Sequence, residues 1–253
     1  MASYDYDMVV IGAGAAGLTV AAGASQLGAK TALIEKRPQL GGDCLLYGCV
    51  PSKTLIKTAK VYHYAKNLKR FGLPAVDMPP CDLRSVLNHV KGTINKVAVH
   101  DSVERFEGLG VDVIFGSAVF ISEHEVKVEN KTLSSARFTI ATGSSPMVFP
   151  IEGLTETGFL TNEEIFSAEA LPRRFVVLGA GPIGAELAHA FTRLGSKTTL
   201  LDLLDYPLGA EDRDMAEVVV NQMVADGIDL KMQRKAKNVF TENGVKHIIV
   251  EGA

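Results

Sequence analysis

Two βαβ units within a single α/β chain are what this sequence predicts, and two observations carry that reading. An apolar run at residues 6–11 leads into Gly12-Ala13-Gly14-Ala15-Ala16-Gly17, then an alanine-rich helical stretch over 18–27, then a second apolar run over 31–34 that ends in Glu35. The arrangement recurs: residues 174–178 lead into Gly179-Ala180-Gly181-Pro182-Ile183-Gly184, a helical stretch over 185–194, and a run over 198–201 that ends in Asp202. In both copies the acid follows the first glycine at the same spacing. A GxGxxG turn between strand and helix, with an acid at the end of the next strand, is the dinucleotide fingerprint. The fold class is therefore α/β, with two Rossmann-like dinucleotide-binding domains.

Each fingerprint position has a physical task. Gly12 makes the tight turn, Gly14 lets the backbone approach a pyrophosphate, and Gly17 lets helix and strand pack closely. The phosphates then meet free N–H groups at the positive end of the helix dipole. Glu35 is placed to accept hydrogen bonds from the hydroxyls of an adenosine ribose. In the second copy Gly179, Gly181 and Gly184 repeat these tasks, and Asp202 takes the acid's place. A carboxylate there accepts a 2′-OH and repels a 2′-phosphate, and residues 203–207 contain no Arg or Lys. That pattern favours NAD(H) over NADP(H). Glu186, two residues past Gly184, reads by itself as a favourable charge on the first helical turn.

Bulk properties exclude several classes. The 253 residues are 47% hydrophobic and 22% charged, which are globular values rather than those of a disordered chain. A net charge of −3 speaks against general affinity for nucleic acid or anionic membrane. No apolar run is long enough to span a bilayer. The first apolar run follows Asp5 and Asp7 rather than a basic segment, so no signal peptide is read there. Three cysteines make no disulfide scaffold, and the expected setting is cytoplasmic.

Between the two units lies Gly41-Gly42-Asp43-Cys44-Leu45-Leu46-Tyr47-Gly48-Cys49-Val50-Pro51-Ser52-Lys53. No second Cys or His pair accompanies it in zinc-ligand spacing, and no metal site is assigned. Two readings of Cys44 and Cys49 stand side by side: a redox pair, or two buried small apolar residues. Residues five apart on a regular helix have Cα atoms about 8–9 Å apart, and a disulfide wants less than about 7 Å. Gly48 and Pro51 therefore predict a distorted turn followed by a regular helix from about residue 50 to 66. The positive end of that helix favours thiolate at Cys49, and Lys53 adds a charge one turn on. Further along, residues 54–70 continue a helical face, 73–80 are proline-rich, and 82–107 read as one long helix. Cys81 is a bystander at that junction. Residues 111–115, 117–121 and 125–128 read as a β meander, and 138–141 as a strand.

GGDCLLYGCVPSK resembles the active-site motif of the class I pyridine nucleotide–disulfide oxidoreductases, the family of dihydrolipoamide dehydrogenase, glutathione reductase and mercuric reductase. The resemblance runs in the family's order over essentially the whole chain, and its wording leans towards the mercuric reductase-like members, with dihydrolipoamide dehydrogenase-like ones next. Asp43, Leu46 and Tyr47 depart from the commoner motif. The resemblance implies a three-layer ββα type of fold, with FAD on residues 1–147 and NAD(P) on 148–253. It implies electrons passing from NAD(P)H through the flavin to a Cys44–Cys49 disulfide, with Cys49 towards the flavin and Cys44 as the interchange thiol. From there they reach a small-molecule disulfide, a protein-bound lipoyl group or a metal ion. Lys53 matches the lysine beside the flavin ring, and Glu186 the acid that pairs with it. Lys36, Gly41, Gly42 and Asp43 fall in the flavin segment. Ala118 falls where backbone lies against the adenine, and Ala141, Thr142, Gly143 and Ser144 fall in the hinge that closes the FAD segment. Ile183 and, on a strand around 235–239, Ala236 fall to the second nucleotide.

Family chains continue into an interface domain whose His and Glu pair serves the partner subunit of a homodimer. His63, His89, His100, His124, His189 and His247 match no such pair, and none is assigned a catalytic role. The expectation is a partial chain lacking the dimerisation domain. The alternative reading is a non-catalytic dinucleotide-binding fragment.

Overall fold

The computed structural model describes residues 4–252. The chain divides into two compact units, Met1–Pro51 with Lys91–Ser145, and Ser52–Val90 with Pro146–Ala253. Residues 52–90, expected within the first domain, thus group with the second unit.

The first unit begins with the expected βαβ: β1 (Met8–Ile11), α1 (Ala15–Gln26) and β2 (Thr31–Glu35). The chain then forms a short helix α2 (Gly42–Leu46), the long α3 (Cys49–Lys66) and α4 (Leu83–Ala98), of which residues 52–90 group with the second unit, and α5 (Val103–Gly108), again in the first unit. Five strands complete it: β3 (Val111–Phe115), β4 (Ala118–Ser122), β5 (Glu125–Val128), β6 (Lys131–Ser134) and β7 (Phe138–Ile140). A four-stranded parallel sheet has the order β3-β2-β1-β7, and β4-β5-β6 form a separate antiparallel sheet. Side chains alternate across the parallel strands. Val10 and Leu33 bury with Leu18, Ala21 and Phe106 of α1 and α5 on one face. Val9, Ala32 and Ile34 bury with Val126, Val128 and Leu133 of the antiparallel sheet on the other. This is the three-layer ββα arrangement. With both its faces covered, β2 is buried along its whole length, as its unbroken Thr-Ala-Leu-Ile run requires.

Three expectations need correction. The long helix over 82–107 is broken: α4 ends at Ala98, a 3-10 turn spans Val99–Asp101, and Ser102 restarts the chain as the cap of α5, its Oγ accepting the Arg105 N–H at 3.2 Å. The apolar period lapses at His100-Asp101, one turn after Val97, and the serine cap begins a new helix rather than continuing the old one. β3 is not part of the meander; it pairs in parallel with β2, Thr31 opposite Val111. The third meander strand is β6, whose single large apolar residue, Leu133, gives little periodicity to read. The expected distortion ahead of α3 is present. Tyr47 and Gly48 separate α2 from α3, and both their N–H groups donate to the Asp43 carbonyl, at 2.9 and 2.5 Å.

The second unit holds α6 (Leu154–Thr157), β8 (Arg174–Leu178), α7 (Pro182–Leu194), β9 (Lys197–Leu201), α8 (Arg213–Ala225), β10 (Asp229–Lys231), β11 (Arg234–Glu242) and β12 (Val245–Gly252). A parallel sheet has the order β10-β9-β8, and β11 and β12 form an antiparallel hairpin. Ala185, Ala188, Leu200, Met223 and Ile228 make its core, joining α7, β9 and the end of α8. Because α7 opens at Pro182, Glu186 lies beyond the first turn, and its reading as a first-turn charge is corrected.

Candidate functional site

The first cradle is closed by its own backbone. Gly12 (φ +103°) donates its N–H to the Ile34 carbonyl at 2.8 Å, and a Cβ there would lie 2.3 Å from the Ala141 carbonyl oxygen. A Cβ on Gly17 would lie 1.7 Å from the Gly12 oxygen, so α1 presses directly on the turn. Gly14 caps α1 without any side-chain hydrogen bond and with no acid in the first turn. The N–H groups of that first helical turn suit an anionic pyrophosphate. The buried Glu35 carboxylate accepts the Ala13 N–H at 2.7 Å and the Arg37 N–H at 2.8 Å. Each oxygen keeps further lone-pair capacity for a ribose hydroxyl. Gly42 meets Gly14 so closely that a Cβ on Gly42 would lie 2.6 Å from the Gly14 Cα, and Gly41 donates to the Ala13 carbonyl at 2.8 Å. The segment that leads into the cysteines is thereby laid against the phosphate turn. Asp43, paired with Arg37 at 3.6 Å, comes up to Gly143. Thr142, Ser144 and Lys36 are exposed, and the Ala118 side chain packs into the core, leaving its backbone for any ligand.

The second cradle repeats the plan. Gly179 (φ +105°) donates to the Leu201 carbonyl at 2.8 Å, and a Cβ on Gly184 would lie 1.9 Å from the Gly179 oxygen. Gly181 caps α7 without a side-chain bond, and Pro182 at the first turn removes one donor. Asp202 accepts the Ala180 N–H at 2.5 Å and the Leu204 N–H at 2.8 Å. Here a Cβ on Gly179 or Gly181 would meet nothing within 4 Å, and Ile183 is 60% exposed. Ala236 stands at a bulge of β11. Two basic residues that the local sequence does not reveal flank the acid: Asp202 donates its N–H to the Lys231 carbonyl, and its own carbonyl accepts from Arg234. Lys231 is paired with Asp229 at 3.0 Å, and the Arg234 guanidinium donates to the Gln233 carbonyl at 3.0 Å.

Cys44 is half-buried on α2, and Cys49 is exposed as the first residue of α3; both are free thiols. The Cys44 thiol is raised above its ordinary value, first by its hydrogen bond with Cys49, then by burial and the adjoining Cys49 charge, with Asp101 adding to it. Asp101 is itself raised, by burial. Arg37, which the sequence did not mark, stacks 5.0 Å over the Tyr47 ring beside the thiol turn. Cys81 is also free, its thiol raised by burial and Asp82. Lys53 Nζ donates to both oxygens of Glu186, at 2.7 and 2.8 Å, an ion pair open to solvent with side-chain exposures of 61% and 36%. Among the described residues no group of three His, Cys, Asp or Glu side chains is placed to hold a metal ion, and no helix is long and apolar enough to cross a membrane.

Known proteins match this construction along its length. The chain is 33% identical to a mercuric reductase of Bacillus cereus over 98% of this chain and 39% of the relative. It is 32% identical to a dihydrolipoyl dehydrogenase of Acholeplasma laidlawii over 94% of this chain and 71% of the relative. Among solved structures, the HOCl-induced flavoprotein disulfide reductase RclA of Escherichia coli superposes with a TM-score of 0.84 at 28% identity, covering 98% of this chain and 54% of that one. The chain thus spans 39–46% of the length of the mercuric reductases it matches. The family pattern described as pyridine nucleotide-disulphide oxidoreductase covers residues 6–252, and the chain belongs to that family.

Proposed function

We propose that this chain carries the electron-transfer half of an FAD-dependent, NAD(P)H-linked reductase. Residues 1–147 hold FAD, 148–253 hold the pyridine nucleotide, and Cys44 with Cys49 receives the electrons. One observation carries the reading: the close backbone approach of Gly42 to Gly14, which ties the dithiol segment to the first phosphate cradle. FAD, when bound, supplies a two-electron relay between the nicotinamide and the cysteine disulfide. The overall balance is one NAD(P)H, one proton and one disulfide giving NAD(P)⁺ and two thiols.

The chain's own residues then divide the work. Gly14 and Gly181 leave helix N-termini open to pyrophosphates, and Glu35 and Asp202 accept ribose hydroxyls while holding their turns. The acid at Asp202 makes NAD(H) the favoured nucleotide. Cys49, at the N-terminus of α3, is the thiolate on the flavin side. Cys44 keeps its proton in the reduced pair and attacks the substrate. Glu186 orients the Lys53 ammonium, which serves the flavin ring. The acceptor is a small-molecule disulfide, a protein-bound lipoyl group or a metal ion, and mercuric ion comes first because of the relatives' names. The setting is cytoplasmic and the full-length assembly a homodimer.

The test is spectroscopic. Purified protein loaded with FAD and reduced by NADH should develop long-wavelength thiolate-to-flavin absorbance. Cys49→Ser should abolish that band, whereas Cys44→Ser should leave it. A colourless protein that takes up no added FAD would sink the reading, and a band surviving in the Cys49 variant would reverse the thiol roles.

A further inference from the structure

A cleft in the second unit has no task in the proposed relay, although Glu186 stands on its wall. Its volume is about 330 Å³, and it lies between α3, α7, α8 and the loop that follows Asp202. Ile56 and Ala59 of α3, Ala185 and Ala190 of α7, Val219 of α8 and Leu208 of the loop give it an apolar lining. That is the small end of the range for ligand sites and about twice the volume of a cavity that takes up benzene, room for one ring and a short arm. One wall is fixed from outside the cleft. Leu208 holds φ +56° and donates its N–H to the Ala180 carbonyl at 2.9 Å, and a leucine keeps such a dihedral only where its surroundings impose it.

The charges on and behind this lining do not balance. His189 and Arg193, both lining the cleft, donate to the buried Asp226 at 2.7 and 2.6 Å, and His63 faces its other oxygen at 3.8 Å. Burial holds both histidines below their ordinary value, so Arg193 alone cancels Asp226. Lys53 gives both its bonds to Glu186. The Glu211 carboxylate, also on the wall, has no ion-pair partner among the described residues. Arg213, two positions on, stacks 3.3 Å over the Tyr206 ring instead. Glu186, Glu211 and Asp226 against Lys53 and Arg193 leave one negative charge beside an apolar lining. We propose that this cleft is a binding site for a small organic monocation, an ammonium group on a single-ring or short-chain apolar body. Glu211 holds the ammonium, and the body lies along Ile56, Ala59 and Ala190. A neutral ligand of the same shape gains only the lining, and an anion meets an uncompensated carboxylate.

Calorimetric titration of the whole chain at about pH 7.5, with three probes of one shape, tests the site without recourse to flavin or nucleotide. The probes are phenethylammonium, the neutral phenethyl alcohol and the anionic hydrocinnamate. Because Glu211 is exposed, the amine should bind about fivefold more tightly than the alcohol, and the carboxylate should bind most weakly. Glu211→Gln should bring the amine down to the level of the alcohol, and Glu211→Lys should reverse the order of the two ions. No binding of the amine, equal affinity for amine and alcohol, or an unchanged order in Glu211→Lys would overturn the proposal. Should the variants not fold, amide NMR of the wild type decides. Shifts caused by the amine must centre on Ala59, Ala190 and Leu208, and shifts centred elsewhere overturn the site equally.

Discussion

The two nucleotide cradles share a plan and differ in how much of the chain closes over them. In each, the third glycine lets the helix press on the carbonyl of the first, and an acid at the end of the second strand binds the N–H of the residue between the first two glycines. Around the first cradle, Ala141 crowds Gly12 and Gly42 crowds Gly14. Around the second, the equivalent glycines face open space. The difference teaches that the glycine pattern encodes two separable demands. One is internal to the βαβ unit and invariant between the copies; the other comes from whatever packs over the turn.

Substitutions can break or sharpen that contrast. Gly12→Ala combines a strained dihedral, costing about 1–3 kcal/mol, with a backbone clash costing about 1–3 kcal/mol more. Gly179→Ala carries the strain alone, so urea unfolding should show the first variant clearly less stable; equal losses would show that the enclosure at Ala141 is irrelevant. Glu35→Gln removes one acceptor from a buried N–H pair and should cost about 1–3 kcal/mol. Asp202→Asn, where water can reach, should cost less than about 1 kcal/mol. A larger loss at Asp202 would invert the ranking of the two cradles. Lys53→Met should have the smallest effect on stability, under about 1 kcal/mol for so exposed a pair, and added salt should erase it. Any effect on flavin reduction in that variant then belongs to the ammonium's chemistry rather than to the fold.

Much of this was legible in the sequence because the demands are local. A glycine at φ near +100° announces itself, and so does the Gly48 turn that splits α2 from α3 before Cys49. What could not be read depends on distant partners. Val111–Phe115 looks like its meander neighbours until β2 claims it. Ser102 follows His100 and Asp101 in a polar stretch that the exposed side of a continuing helix would also carry, yet it caps a new helix. Arg234 reaches Asp202 from 32 positions on, and only through backbone hydrogen bonds. His63, His189, Arg193 and Asp226 are unremarkable in their own stretches; only the assembly of α3, α7 and α8 makes them one cluster.

Glu35 and Asp202 carry a consequence for how such a protein can change. Each carboxylate binds two backbone N–H groups of its own turn before any sugar arrives. A basic residue introduced to welcome a 2′-phosphate would have no acceptor to offer those amides. Drift in nucleotide preference is therefore coupled to the integrity of the turn. A viable switch needs either a cation recruited from elsewhere or a second change that re-satisfies the backbone.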